Sequence, residues 1–225
     1  MLTRVLIAIA AAGTLQAEII DRIAVSVGNR VITTDQINDE VRVTAFLNHS
    51  EPNFNPEDKK KAAERLIEQA LIKREMDFTH YPFPPLSEAD EMLKQVEAER
   101  PDFARYGISE DDLRQHLWWQ LTLLKFIDER FRPSVEVTTF EVRQYYREQA
   151  EKWKEEGKNP IPTFEDSRDA MTKALTEERV NQAVDRWLGD ARTQMTIRMR
   201  DEVFTGNAGH RGSWPVAAPG GAAKP

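Results

Sequence analysis

Prolines divide this chain into segments of helical length, and they limit its possible folds more than any other feature. A proline inside a helix removes a backbone hydrogen bond and clashes with the preceding turn, so a proline cluster ends a helix. Such breaks fall at residues 49–58, 81–86, Pro101, Pro133 and 159–162. Between them, apolar residues recur every three or four positions, which predicts a mainly helical fold.

Polar residues suited to capping mark where most of these helices begin. In three places a hydroxyl residue is followed three positions later by a side chain that can bond back to it: Thr33 with Gln36, Ser109 with Asp112, and Thr138 with Glu141. This spacing is typical of a capping box. We also expect Ser87 and Thr163 to begin helices. Six helices are predicted, the longest over residues 57–79, 109–132 and 163–191.

Two segments that flank the helical region predict strands instead. Residues 23–33 (IAVSVGNRVIT) alternate around Gly28-Asn29, a pair suited to a two-residue turn, and so predict a β-hairpin. Residues 195–199 (MTIRM) alternate apolar and polar side chains and predict a late strand. The expected fold is therefore mainly α, with a small amount of β-structure near each end of the helical region.

The terminal segments differ in composition from the rest of the chain. Arg4, an apolar run over residues 5–15 and then Ala17 have the pattern of a secretory signal peptide over residues 1–17. Residues 205–225 hold five of the ten glycines and three of the twelve prolines, which predicts a flexible tail. We therefore expect an exported protein with no integral membrane segment after signal cleavage.

Composition argues against several classes of function. The chain has no cysteine, which excludes a disulfide framework, a thiolate metal site and a cysteine nucleophile. Its four histidines are scattered, and its net charge of −7 is unfavourable for binding nucleic acid. No catalytic or phosphate-binding motif is recognisable. The sequence therefore predicts no catalytic residue, no metal, no cofactor and no nucleic-acid partner, and the protein is not expected to be an enzyme.

The predicted helix over residues 109–132 has apolar side chains on two sides. One side carries five of them: Leu113, Leu117, Leu121, Leu124 and Phe131. Trp119, Leu123 and Phe126 fall on roughly the opposite side. A surface helix normally has one apolar stripe. Two explanations stay open: the helix is packed between neighbours on both sides, or the side with Trp119 binds an apolar peptide or partner.

Five segments of the chain, in order, carry a resemblance to a known family. They are IIDRIAVSVGNRVITTDQINDEV (19–41), AERLIEQALIKREM (63–76), SEDDLRQHLWWQLTLLKFIDERF (109–131), VTTFEVRQYYREQ (137–149) and the block 162–199. Together they resemble the SurA-like family of periplasmic chaperones and foldases. The resemblance implies that the hairpin pairs with the last strand. It thus implies one chaperone domain over 18–204, formed by 18–156 and 163–200 and joined by the short linker 157–162. Relatives insert parvulin-type isomerase domains between such segments, whereas here only GKNPIP (157–162) joins them.

This resemblance implies a function as well as a fold. The expected protein is an ATP-independent periplasmic chaperone, a holdase that binds unfolded or nascent exported polypeptides, including outer-membrane proteins, in an apolar cleft. Trp119, Leu123 and Phe126 are the expected client-binding residues. Two alternatives stay open, namely a residual peptidyl-prolyl isomerase and a non-catalytic adaptor or dimerisation module, which would include a homodimer.

Overall fold

The computed structural model of this chain describes residues 22–204. They form three strands and seven α-helices in the order β1 (Ile23–Val27), β2 (Arg30–Thr33), α1 (Thr34–Leu47), α2 (Pro56–Phe78), α3 (Asp90–Glu99), α4 (Glu110–Phe131), α5 (Thr139–Glu155), α6 (Phe164–Thr193), β3 (Ile197–Met199) and α7 (Asp201–Phe204). The predicted mainly-α fold with a small sheet is confirmed. The predicted signal peptide (1–17) and flexible tail (205–225) lie outside the described residues.

The three strands form one antiparallel sheet in the order β2-β1-β3. The hairpin turns at Gly28-Asn29, where Gly28 has a φ of +60°, a conformation that glycine adopts without steric cost. On its other side β1 pairs with β3, so that Val25 lies opposite Met199 and Val27 opposite Ile197. The pairing of the hairpin with the late strand is therefore confirmed.

Capping explains where most of the helices begin. The capping boxes that start at Thr33, Ser109 and Thr138 are all formed, and Thr163 caps α6. The prediction for Ser87 is wrong. Residues Leu86–Ala89 form a 3₁₀ turn instead, and α3 begins after Ala89 without a side-chain cap. Because the 3₁₀ turn leads directly into α3, Ser87 lies inside a continuous helical path and not at its start.

Helix α4 takes part in two separate hydrophobic clusters. Its last turns, with Phe126 and Phe131, lie in the main core beside the sheet, α1, α2, α6 and α7. Its first turns, with Leu113 and Leu117, pack against α1 and α3 in a second cluster. The apolar side chains of α4 therefore contact one cluster near the start of the helix and the other near its end. Leu124 is exposed, although the helical projection places it on the side with Leu113 and Leu117.

Helices α5 and α6 form a hairpin with a small cluster of its own. Val142, Met171 and Leu175 are its buried members, and the aromatic side chains of Tyr145, Tyr146, Trp153 and Phe164 pack around them. The other half of α6 lies in the main core. Within residues 22–204, no helix combines the length and the apolar character needed to cross a bilayer.

Candidate functional site

A groove of about 610 Å³ lies between β2, α2 and α4. It brings together residues that are far apart in sequence: Arg30, Val31 and Ile32 from β2, Gln36 from α1, Leu66, Gln69, Ala70 and Lys73 from α2, Phe83 from the loop after α2, and Gln115, Trp118 and Trp119 from α4. Gln69 and Ala70 of α2 lie three and four positions after Leu66, and Lys73 follows four and three positions after them, so the four residues share one face of that helix. The groove is therefore a product of tertiary packing.

Aromatic side chains form one wall of the groove. The ring of Phe83 stacks on Trp118, with ring centroids 6.1 Å apart. Trp119 lies beside Trp118, at 6.3 Å between centroids. The indole nitrogen of Trp118 donates a hydrogen bond to the carbonyl oxygen of Pro84 at 2.8 Å. This bond fixes the proline-rich loop against α4, so Phe83 and the two tryptophans keep a defined arrangement.

The β2 and α2 side of the groove carries two cations. Among the residues that line the groove, the ionisable ones are Arg30 and Lys73, and both are basic. Both bond to Asp77, Arg30 at 2.5 Å and Lys73 at 2.9 Å. Hydrogen bonding from Lys73, with the charge of Arg30, holds the pKa of Asp77 below its usual value. Two cations thus face one carboxylate, so the β2 and α2 side of the groove is locally positive on a chain whose net charge is −7.

The three residues predicted to bind clients lie in different surroundings. Trp119 lines the groove and also packs against the main core. Leu123 is half-buried against that core and is not among the groove residues. Phe126 is only 2% exposed, and its ring lies edge-on to Tyr81 and Phe131. Of the three, only Trp119 is thus placed to contact a molecule in the groove; Phe126 is a core residue.

Sequence reasoning missed several residues of the groove. Phe83 lies in the proline segment 81–86, whose composition predicts only a helix break. Trp118 lies next to Trp119, but the helical projection assigned it to neither side. The alternation of residues 23–33 places Val31 in the hairpin but predicts no binding role for it. The adjacent Trp118-Trp119 pair and the phenylalanine between two prolines were the available signals.

A buried polar cluster links α1, α2 and α4 beside the core. The carboxylate of Glu40 accepts hydrogen bonds from Arg65 at 2.7 Å and from Thr44 at 3.2 Å. His116 of α4 lies 4.0 Å from the same carboxylate, and its burial lowers its pKa below the usual value. Within the described part of the chain, no three His, Asp or Glu side chains are grouped so as to hold a metal ion. The cluster is suited to joining three helices.

Comparisons with known proteins do not assign this chain to a family. No family model matches it, and no curated protein matches it. The SurA-like resemblance therefore depends on the ordered sequence segments alone and stays a prediction.

Proposed function

We propose that this protein is an ATP-independent chaperone that holds unfolded exported polypeptides, outer-membrane proteins among them, in the groove between β2, α2 and α4. The observation that carries the proposal is the aromatic wall of Phe83, Trp118 and Trp119 at a groove that also exposes Val31. A contiguous apolar surface open to solvent is typical of a site that binds an apolar partner.

The groove suits short apolar segments of many sequences. A volume of about 610 Å³ is within the usual range for binding pockets, and it could hold a few side chains. Removing those side chains from water supplies the binding free energy, so no nucleotide is needed. The glutamines and cations that line the groove offer hydrogen bonds without demanding one particular partner. We therefore expect weak, reversible binding with low sequence selectivity.

Export belongs to the same proposal and has its own support in residues 1–17. Their charged, apolar and small-residue parts follow the order of a cleavable signal peptide. We expect the mature protein to be recovered from the periplasmic fraction with a new N-terminus at residue 18. Recovery of the uncut chain in the cytoplasm would contradict this part of the proposal.

Suppression of aggregation tests the chaperone function directly. A porin unfolded in urea is diluted into buffer with and without the mature protein, and light scattering is followed. We expect a stoichiometric amount to lower the scattering, and Phe83→Ser to weaken the effect. Phe140→Ser is the matched control, because Phe140 is 67% exposed but lies on α5, away from the groove. Unchanged scattering at an excess of wild-type protein would refute the proposal.

Two further assays separate the alternatives. A protease-coupled assay with a proline peptide tests the residual isomerase, and we expect the uncatalysed rate. Light scattering of the purified protein at several concentrations tests the adaptor or homodimer. A stable dimer in which Phe83 and Trp119 become protected from solvent would favour that alternative over a chaperone groove.

A further inference from the structure

We propose that the client binds as an added β-strand on the free edge of β2, and that segments with carboxylates beside their apolar residues bind best. This inference rests on the proposed chaperone function and names the form and chemistry of the client. An extended segment can add to an exposed sheet edge because main-chain hydrogen bonds form with almost any sequence. The sheet edge and the charges of the groove support it independently.

The hydrogen bonds of β1 show which way the backbone of β2 points. The carbonyl oxygen of Ala24 accepts from Arg200, and the amide of Gly28 donates to Thr196, so both face the β3 side. Backbone groups of successive strand residues point alternately to the two sides, and Ser26 therefore faces β3 as well. Val31 lies opposite Ser26. The N–H and C=O of Val31 accordingly point away from β1.

The edge of β2 lies along the groove. Val31 and both its neighbours in β2 line the groove, and Val31 is 51% exposed. The next outward N–H along the chain, that of Thr33, already donates to Gln36 Oε1 at 3.0 Å. Among residues 22–204 no strand pairs with this edge. A client strand would thus gain its main-chain bonds at Val31 while its side chains reach the aromatic wall.

The charged residues of the groove indicate what kind of segment binds there. Arg30 lies next to Val31 on β2, and Lys73 is on the facing helix α2; Asp77 balances only one of these two cations. A carboxylate on the added strand would pair with the remaining positive charge. A second copy of this chain at the same edge would instead bring another Arg30 into the groove, where like charges repel. The charges therefore favour an acidic, apolar, extended segment of another polypeptide.

Fluorescence polarisation with two labelled peptides tests the preference for carboxylates. One 11-residue peptide alternates valine and glutamate around a central phenylalanine; its twin has lysine in place of glutamate. We expect the glutamate peptide to bind about 3-fold more tightly at low salt, the effect of one exposed charge pair. Arg30→Gln combined with Lys73→Gln should remove this preference. Equal or tighter binding of the lysine peptide would overturn the charge selection.

Val31→Pro tests the strand addition. Proline is tolerated on an edge strand whose N–H faces outward, so the hairpin should persist while the edge donor is lost. We expect the glutamate peptide to bind Val31→Pro about 3- to 10-fold more weakly, the effect of one hydrogen bond. The control Val31→Thr keeps the N–H and should bind the peptide within about 2-fold of wild type.

Amide exchange gives a second measurement that does not depend on how well Val31→Pro folds. In wild type, exchange of the Val31 amide hydrogen should slow when the glutamate peptide is added. In one outcome, wild type suppresses aggregation, Val31→Pro binds the peptide as tightly as wild type and the peptide does not slow exchange of the Val31 amide. That result would refute strand addition and leave the chaperone function standing. If wild type neither binds the peptide nor suppresses aggregation, the proposed function itself fails. Concentration-dependent dimers that Val31→Pro abolishes would identify the edge as a self-interface and overturn the proposal.

Discussion

At the scale of single residues, the two partners of the Arg65–Glu40 ion pair differ in burial, so removing one should cost more stability than removing the other. The side chain of Glu40 is 6% exposed, whereas that of Arg65 is 38% exposed. If Glu40 is removed, the guanidinium of Arg65 can still turn toward water. If Arg65 is removed, the carboxylate of Glu40 stays buried without its strongest donor. A buried charge left without its partner costs far more than an exposed one.

We therefore expect Arg65→Ala to lower the free energy of unfolding by about 3 kcal/mol, and Glu40→Gln by about 1–2 kcal/mol. Urea denaturation at pH 7.5 measures both. Arg105→Ala is the matched control, because Arg105 forms an ion pair of similar length with Glu51 in which both side chains are exposed. Its loss should change the free energy of unfolding by less than about 1 kcal/mol. Equal effects at Arg65 and Arg105 would show that burial of Glu40 does not control this pair.

His116 should make the stability depend on pH. Burial among α1, α2 and α4 lowers its pKa in the folded protein, although the nearby Glu40 opposes this shift. In the unfolded chain its pKa is about 6.5, so the unfolded state binds more protons as pH falls below that value. The free energy of unfolding therefore rises with pH between the pKa of folded His116 and about 6.5. This stability is lost as pH falls toward the folded pKa.

We expect the urea midpoint of the wild-type protein to be lower at pH 5.5 than at pH 7.5. His116 Nε2 lies 2.9 Å from Gln120 Nε2. In His116→Gln the pH difference should become smaller, since glutamine does not titrate and can still bond to Gln120. Every other titratable group is the same in the two proteins, so the difference between their pH dependences reports His116. An unchanged pH dependence in His116→Gln would mean that another group is responsible.

At the scale of secondary-structure elements, two glycines should respond to alanine in opposite directions. Gly28 closes the β-hairpin with a φ of +60°, and an added Cβ would lie 2.4 Å from Met195 Cε. The methionine end can move, but the left-handed backbone costs alanine about 1–2 kcal/mol. Gly189 lies inside α6 with nothing within 4 Å of an added Cβ.

We expect Gly28→Ala to lower the free energy of unfolding by about 1–2 kcal/mol and Gly189→Ala to raise it by about 0.5–1 kcal/mol. Thermal unfolding followed by circular dichroism compares the two variants. Each is the other's control, because the chemical change is identical and only the backbone conformation differs. A stabilised Gly28→Ala would contradict the hairpin geometry.

The elements differ in how far the sequence could predict them. Thr33, Ser109 and Thr138 each bond within three residues, so local spacing is enough to find the helices that they begin. The prediction that Ser87 begins a helix is wrong because a hydroxyl residue after prolines can equally lie within a 3₁₀ turn. The groove is harder still: Phe83 meets Trp118 only when the loop after α2 folds back on α4. Spacing along one helix could place Trp119 and Phe126 on one side, but it could not show that Phe126 lies under other elements.

At the scale of the whole molecule, the last described residues complete a core that begins with the first strand. β3 extends the sheet beside β1, and the short helix α7 then places Phe204 in the main core, where it is 1% exposed. The same core contains Val25 of β1 and Ile67 of α2. Residues almost 180 positions apart in the chain thus depend on each other for burial. Because β2 pairs only with β1 in the described sheet, the groove wall depends on this closure as well.

Phe204→Ala tests this dependence. We expect it to lower the free energy of unfolding by about 3–5 kcal/mol, since a buried phenylalanine loses its contacts and leaves a cavity. Phe140→Ala is the matched control and should change it by less than about 0.5 kcal/mol, because Phe140 is 67% exposed. Urea denaturation measures both, and binding of a labelled apolar peptide to Phe204→Ala below its transition shows whether the groove persists. A loss below about 1 kcal/mol at Phe204 would mean that α7 adds little to the core. In that case the sheet and groove would be held by β1, α2 and α4 without the C-terminal segment.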